Sequence, residues 1–405
     1  RVEKLAFQHP ITHIPNLHRL EDEINANNQA NRRFTLVAFD IQNFRHVNSM
    51  FGRNNGDLIL LEVASRLRQV FPNLFHIEGD MFVGLYEKVF PREEIPLICK
   101  ELGDQFSRPL VMGETTFEID FRVGVYLQEE PIEAKTTYEN LMHALKAAKE
   151  NTSQRHVIYD INIGQKVTRE IILQHQLQNA LANDEFQVYF QPQLDLQTNK
   201  IVALESLIRW MNPYYEGESP LLFIELAEKN NMIRPISHFV LQEALKVAKI
   251  LEPHGIKISV NVSPLQIFQT GYVEEITTLY KKFNLKPYTV ALELTETAIM
   301  ESYSEVVNKL TALRENGFAI HLDDFGEGYS SFTYLRTLPA DALKISYSFT
   351  KNIVVDKAAA TIVRGMISLA KNFDKTIICE GIETDAHAKL VTRFGSDIGQ
   401  GYWCS

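Results

Sequence analysis

From Phe186 onward the chain repeats one unit, a short strand-like segment followed in most cases by a helical stretch. The strand candidates are FQVYFQP, IVALESLIRW, KISVNVS, TVALELTE, FAIHLDD, ALKIS and TIICEG. HFVLQEALKVAKIL and AAATIVRGMISLAKNF carry apolar residues at helical spacing and separate several of them. Short apolar strands alternating with helices build a largely parallel sheet. Seven or eight such units in about 220 residues fit a closed (β/α) barrel better than an open sheet.

The polar residues of this half fall at the strand ends. Glu205 lies in the second strand, Asn261 ends KISVN, Glu293 and Glu296 end TVALELTE, and Asp323-Asp324 end FAIHLDD. Lys344 follows ADAL, Glu380 follows TIIC, and Gln400 precedes the last Gly-Tyr. Strand C-termini of a barrel converge on one face, where catalytic groups collect. Helix capping accounts for any one of these acids, but it needs no Asn, no Lys and no doubled Asp. Crowded carboxylates cannot all ionise without countercharge. Divalent cations with oxygen ligands, Mg²⁺ or Mn²⁺, are the simplest countercharge, and the lack of a His or Cys cluster disfavours zinc. Two adjacent aspartates can serve two metals, or one metal and one water. Two-metal sites act on phosphate esters by activating water and stabilising the leaving oxygen.

A chain of 405 residues predicts two domains. Its formal net charge of −10 argues against a nucleic-acid polymer as partner. Three scattered cysteines, Cys99, Cys379 and Cys404, show no paired or ligand spacing and read as buried thiols of a reducing compartment. No apolar run is long enough for a membrane helix and no signal peptide is visible. The expected location is cytoplasmic. A start at Arg1 suits a piece of a longer protein, such as the cytoplasmic portion of a membrane-anchored sensor.

The first half mixes elements in an α/β or α+β manner. FTLVAFDI (34–41) and TFEIDFRVGVYL (116–127) read as strands, GDLILLEVASRLRQVF (56–71) and LMHALKAAKE (141–150) as helices. LFHIEGDMFVGLY (74–86) reads as a hairpin turning at Glu78-Gly79-Asp80. NTSQRHVIYDINIG is polar and turn-rich, a junction, and VTREIILQHQLQNALAND (167–184) is helical up to Asn183-Asp184. The expected domains are 1–160, a linker and entry helix over 161–184, and the barrel over 185–405. His9, His13 and His18 lack metal spacing and read as surface residues.

Residues 186–405 resemble an EAL domain, the phosphodiesterase that cleaves cyclic di-GMP to linear pGpG. QPQLD, ALESLIRW, NVS, ELTE, DDFGEGYSS, ALKIS, CEGIE and GQGY fall in that family's order and approximate spacing. The resemblance implies a TIM-like (β/α)8 barrel with two Mg²⁺ or Mn²⁺ ions. Glu205, Asn261, Glu293 and Asp323 would be ligands of the first metal, and Asp324 would serve the second. Lys344 would hold or polarise the attacking water, with Glu380 and Gln400 completing the metal and water shell. Glu296 would brace the DDFGEG loop. Arg209 would sit on the substrate phosphate, where a guanidinium fork suits a phosphodiester, and Gln191 would contact the nucleotide. Three positions depart from the family pattern: Ser206 in EAL, Glu327 in DDFGTG, and Ser346 in Lys-x-Asp. None removes a metal ligand, which predicts a working enzyme; a cyclic di-GMP receptor that does not hydrolyse is the alternative.

Residues 1–160 resemble a GGDEF domain, the fold that makes cyclic di-GMP from GTP. HPITHIPN, FDIQNFRHVNSMFGRNNGD and HIEGDMF are similar to its opening, its metal and guanine region and its signature. Asp40 and Asp80 stand where the family binds metal, Asn48 and Asp57 where it contacts guanine. Met81 replaces the glutamate at the reacting centre, and Glu78 replaces a glycine that lets backbone approach phosphate. The product-inhibition motif Arg-x-x-Asp aligns with Gln69 to Pro72 and is absent. The half is expected to be a degenerate cyclase, either an inert spacer or dimerisation unit or a GTP sensor. The resemblance also suggests a homodimer.

Overall fold

A computed structural model describes residues 7–112, 115–151, 153–215, 219–300, 303–327 and 334–404. Gly328 to Ser331 of the DDFGEGYSS stretch lie outside the described residues. The chain divides into two compact units, 1–172 and 173–405. None of its helices, among the described residues, is long and apolar enough to cross a membrane.

In the first unit, α1 (Leu17–Gln29) precedes β1 (Phe34–Ile41), α2 (Phe44–Phe51) and α3 (Arg53–Val70). The hairpin of β2 (Asn73–Glu78) and β3 (Met81–Tyr86) follows, then α4 (Ile95–Phe106). A small pair, β4 (Leu110–Met112) and β5 (Thr115–Phe117), leads to β6 (Phe121–Gln128), α5 (Ala134–Glu150) and β7 (His156–Ile158). The five-stranded sheet runs β2-β3-β1-β6-β7. Every residue of β1 is buried, as a central strand covered on both faces requires.

Two expectations need correction here. The stretch 116–127 is not one strand: it breaks at Glu118–Asp120, where the Asp120 carboxylate accepts from the Phe121 N–H at 2.9 Å and competes with the ladder. The segment read as a junction contains β7, parallel to β6, and the start of helix α6 (Ile161–Ala180). The Asp160 carboxylate caps that helix by accepting from Asn162 and Ile163 N–H groups. Asp184, at φ 55°, follows the helix in the left-handed region, in line with the expected stop.

His9 is not a simple surface residue either. Its ring stacks on His76 at 3.5 Å between centroids, and His76 stacks in turn on Phe82 at 4.2 Å. His76 Nδ1 lies 2.8 Å from Thr12 Oγ1 and Nε2 3.0 Å from the Gly79 carbonyl. Burial pushes the His76 pKa down to about 4, outweighing that carbonyl. A depressed histidine is stable as the neutral ring, so its contribution is complete above about pH 6.5 and is lost as pH falls toward 4. The loss is on the order of 3 kcal/mol. An NMR titration should place the His76 midpoint near 4; a midpoint near 6.5 would show that burial does not govern it.

The second unit is a closed eight-stranded barrel. Its strands are β8 (Phe186–Asp195), β9 (Ile201–Trp210), β10 (Lys257–Asn261), β11 (Val290–Thr295), β12 (Ala319–Phe325), β13 (Ala342–Ile345), β14 (Thr376–Cys379) and β15 (Ile398–Gln400). Neighbours from β9 to β15 are parallel, whereas β8 runs antiparallel to both β9 and β15. The barrel is therefore TIM-like with one reversed strand, and β15 is the eighth unit. Helices α7 (Pro220–Lys229), α8 (Ile233–Leu251), α9 (Tyr272–Lys282), α10 (Tyr303–Glu315), α11 (Lys357–Lys371) and α12 (Asp385–Phe394) join the parallel strands.

Period-two alternation sorts the side chains. Ile258, Val260, Leu292, Leu294, Ile320, Leu322, Leu343 and Ile345 belong to the apolar core shared with the helices. The intervening residues, including Asn261, Glu293, His321 and Lys344, face the barrel axis. Glu185 anchors the first hairpin by accepting from Trp210 Nε1 and Asn212 Nδ2, both at 2.8 Å. Glu185→Ala leaves both donors without that acceptor and should cost about 2 kcal/mol in urea unfolding. A change under about 0.5 kcal/mol would mean that water substitutes freely.

Candidate active site

The acids gather at the strand C-termini around one lysine. Lys344 is fully buried, and its Nζ lies 2.8 Å from Glu293, 2.9 Å from Glu380, and 3.3 Å from both Glu205 and Asp323. Asn261 Nδ2 donates to Glu205 Oε1 at 2.8 Å, and Gln400 Nε2 donates to Glu205 Oε2 at 2.6 Å. His321, two residues before Asp323, places Nδ1 3.4 Å from Glu293 Oε1. It belongs to the site by strand alternation, a signal that the sequence carried and motif matching passed over.

Adjacent residues of a regular strand point to opposite faces, so Asp323 and Asp324 should diverge. They do not. The β12–β13 register shifts between Leu322 and Phe325, and Asp324 takes φ 51°, a left-handed conformation that aspartate tolerates better than most residues. Asp323, Asp324 and Glu380 thereby offer carboxylate oxygens within 4.8 Å of one another. Glu296 Oε2 accepts from Gly326 N–H at 2.9 Å, tying this turn to the end of β11. Gly326 has φ 101°, and a Cβ there would lie 2.6 Å from Met366.

The electrostatics follow from this crowding. Burial and the neighbouring carboxylates push Asp323 up to about 8 despite Lys344. Burial raises Glu205 too, helped by the charge of Glu293. Burial opposes ionisation of Glu293, but Lys344 and His321 outweigh it and hold that carboxyl well below the usual range. Burial disfavours charge on Lys344, yet four carboxylates keep its pKa well above the ordinary value. Four carboxylates (Glu205, Glu293, Asp323 and Glu380) thus share one ammonium, and Asp324 adds a fifth beside Asp323 and Glu380. An all-oxygen donor set with surplus negative charge fits hard divalent cations such as Mg²⁺ or Mn²⁺.

A pocket of about 740 Å³ opens beside these acids, lined by Gln191, Glu205, Arg209, Glu380 and Gln400. Gln191 Oε1 accepts from Gln400 at 3.1 Å. The Arg209 guanidinium lies 5.6 Å from the Tyr189 ring centroid. Tyr189, Tyr347 and Tyr402 also line the pocket. None of the three was expected, although Tyr189 is two residues before Gln191 on the same strand face. Of the departures from the family pattern, Ser206 donates harmlessly to the Ser259 carbonyl at 2.6 Å. The other two meet: Ser346 Oγ donates to Glu327 Oε1 at 2.6 Å.

In the first unit, Asp40 is buried and pairs with Lys149 Nζ at 2.6 Å, and Gln42 donates to its other oxygen at 3.0 Å. Burial and the charge of Asp40 push Asp80 up to about 6, so these two acids are neighbours. Met81 lies opposite Asp40 in the β1–β3 ladder. Asn48 packs close to Gly56, where a Cβ would come within 1.9 Å of its Oδ1; Asp57 is partly exposed.

The barrel and its acidic mouth define an EAL domain, preceded by a second nucleotide-signalling fold. The EAL domain profile matches residues 174–405, and the chain belongs to that family. The profile for diguanylate cyclase, GGDEF domain, matches residues 6–155. The bifunctional diguanylate cyclase/cyclic di-GMP phosphodiesterase MucR of Pseudomonas aeruginosa is 30% identical over 412 residues, covering 98% of this chain and 60% of MucR. The cyclic di-GMP phosphodiesterase PdeR of Escherichia coli is 25% identical, covering 99% of this chain and 62% of PdeR. The chain thus spans about three fifths of the length of these curated relatives. The PaMucR phosphodiesterase in complex with c-di-GMP matches 58% of this chain and 96% of that structure, at 32% identity and a TM-score of 0.55. Vibrio cholerae LapD S helix-GGDEF-EAL matches at 16% identity and a TM-score of 0.54, a likeness of fold alone.

Proposed function

We propose that the second unit hydrolyses cyclic di-GMP to linear pGpG. The observation that carries this reading is the ring of carboxylates around buried Lys344, at the mouth that opens into the Gln191–Arg209 pocket. Glu205, Asn261, Glu293, Asp323, Asp324 and Glu380 would hold two Mg²⁺ or Mn²⁺ ions. Bound there, such ions acidify water and stabilise developing charge on phosphate oxygens. Arg209 supplies a planar fork for the non-bridging oxygens of the phosphodiester. Tyr189 and Tyr402 offer aromatic faces to a base, and Gln191 an amide edge. Lys344 stays an ammonium among its four carboxylates. It therefore orients and polarises water by donating to it, while a carboxylate takes the proton.

The first unit is proposed to make no cyclic di-GMP. Met81 can neither bind metal nor accept a proton, and Lys149 already neutralises Asp40. Its role is regulatory or in dimerisation. Calorimetry with GTP and Mg²⁺ separates the two, since absence of heat removes the sensor. A homodimer and a cytoplasmic setting belong to the same proposal.

Incubating the protein with cyclic di-GMP and Mg²⁺ or Mn²⁺, then separating nucleotides, should yield pGpG. The receptor reading is favoured by one observation, the Glu327–Ser346 pair that adds a carboxylate beside Asp324. Nucleotide recovered intact after long exposure, despite measurable binding, would establish the receptor instead.

A further inference from the structure

Beneath the carboxylate layer, inward-facing positions line a second cavity of about 540 Å³ that reaches the strand N-termini. Barrels of this kind normally fill such layers with bulky branched side chains. Here Ala203, Ala291, Ala319, Ala342 and Ser259 supply five of the eight strands' inward positions.

Small residues alone make a void, not a site. The second observation is polar: Gln193 Oε1 and Ser259 Oγ have no hydrogen-bond partner among the described residues. Both residues line the cavity, and they are 0% and 1% exposed. Buried polar atoms without partners are rare enough to require a cause. Gln193 Nε2 is already committed to Gln400 Oε1 at 2.8 Å, which leaves its Oε1 as an acceptor. At the mouth, Arg314 is engaged with Asp341 at 2.7 Å, whereas Lys257 has no ion-pair partner among the described residues. Lys257 and Ser259 sit two residues apart on β10, so about 7 Å of strand separates their Cα atoms and both side chains leave the same face.

We propose that this cavity binds a small organic anion, its carboxylate at Lys257 and a hydrogen-bond donor at its far end meeting Gln193 Oε1 and Ser259 Oγ. The alanine and isoleucine walls accept a small aromatic or aliphatic body. Two contacts join the cavity to the layer above it: Gln193 through Gln400 to Glu205, and His321 to Glu293. The site stands whether or not the opposite mouth hydrolyses cyclic di-GMP.

4-Hydroxybenzoate has the required end groups on an apolar body, so it serves as the probe, with benzoate and 4-hydroxybenzamide as partial mimics. Calorimetry and saturation-transfer NMR should give 4-hydroxybenzoate a roughly millimolar Kd, ordinary for so small a ligand. Each partial mimic should bind about tenfold more weakly. Lys257→Gln should weaken 4-hydroxybenzoate about tenfold and leave the amide unchanged. Ala319→Leu, which fills the cavity, should abolish binding of all three without lowering the unfolding midpoint. Arg209→Ala should change nothing, because it lies in the other pocket. Absence of binding at 10-fold the expected Kd, binding that survives both Lys257→Gln and Ala319→Leu, or loss in Arg209→Ala would each overturn the assignment. Should Ala319→Leu fail to fold, the charge-selective response of Lys257→Gln decides.

Discussion

Lys344→Met, prepared without divalent ions, is expected to lose about 3–5 kcal/mol of stability in its barrel unit. The substitution keeps the length of the stem and removes only the ammonium. Four carboxylates within 3.3 Å of that nitrogen then face one another in a buried space. Some will protonate, which limits the damage, but none regains water. Adding Mn²⁺ should therefore restore stability to the variant and raise its unfolding midpoint by more than it raises that of the parent. A variant as stable as the parent in EDTA would mean that the carboxylates are not neutralised through Lys344. Equal responses to Mn²⁺ would mean that the ammonium and the cations do not answer the same charge.

The second large effect is catalytic. Glu205→Ala or Asp323→Ala should lower turnover of cyclic di-GMP by at least about 10³-fold, or about 4 kcal/mol in the barrier. Glu205 also accepts from Asn261 and Gln400, so its loss frees two further site residues. Arg209→Ala should instead act mainly through KM, because its guanidinium is proposed to meet the phosphate and not the water. Steady-state kinetics at saturating Mn²⁺ distinguishes these effects. Parental kcat in either carboxylate variant would refute the assignment of those residues to the metal shell.

Much of the barrel was legible because two periodicities agree along it. Segments such as TVALELTE place Leu292 and Leu294 on the helix side and Glu293 on the axis, and only a strand does that. The reversed direction of β8 was not legible. FQVYFQP reads alike in either direction, and the hairpin to β9 is a tertiary choice. The convergence of Asp323 with Asp324 was not legible either, since it depends on a register shift and one left-handed residue. Sequence pattern pointed to countercharge and named metals; Lys344 as a resident cation, touching four of the acids, emerged only from geometry. In the first half, β7 hid in a polar stretch because only three residues pair, and its partner β6 is supplied from far along the chain. Tyr347 and Tyr402 escaped notice because aromatic residues outside a strand pattern carry no positional signal.

The most direct test of the central claim is the number of Mn²⁺ ions bound per chain, measured by calorimetric titration of metal-free protein. Two ions per barrel, with one lost in Asp324→Ala, is the predicted result. A titration that shows no uptake, or a single ion unaffected by Asp324→Ala, would contradict a two-metal hydrolase and leave the acidic mouth as a nucleotide-binding surface held together by Lys344.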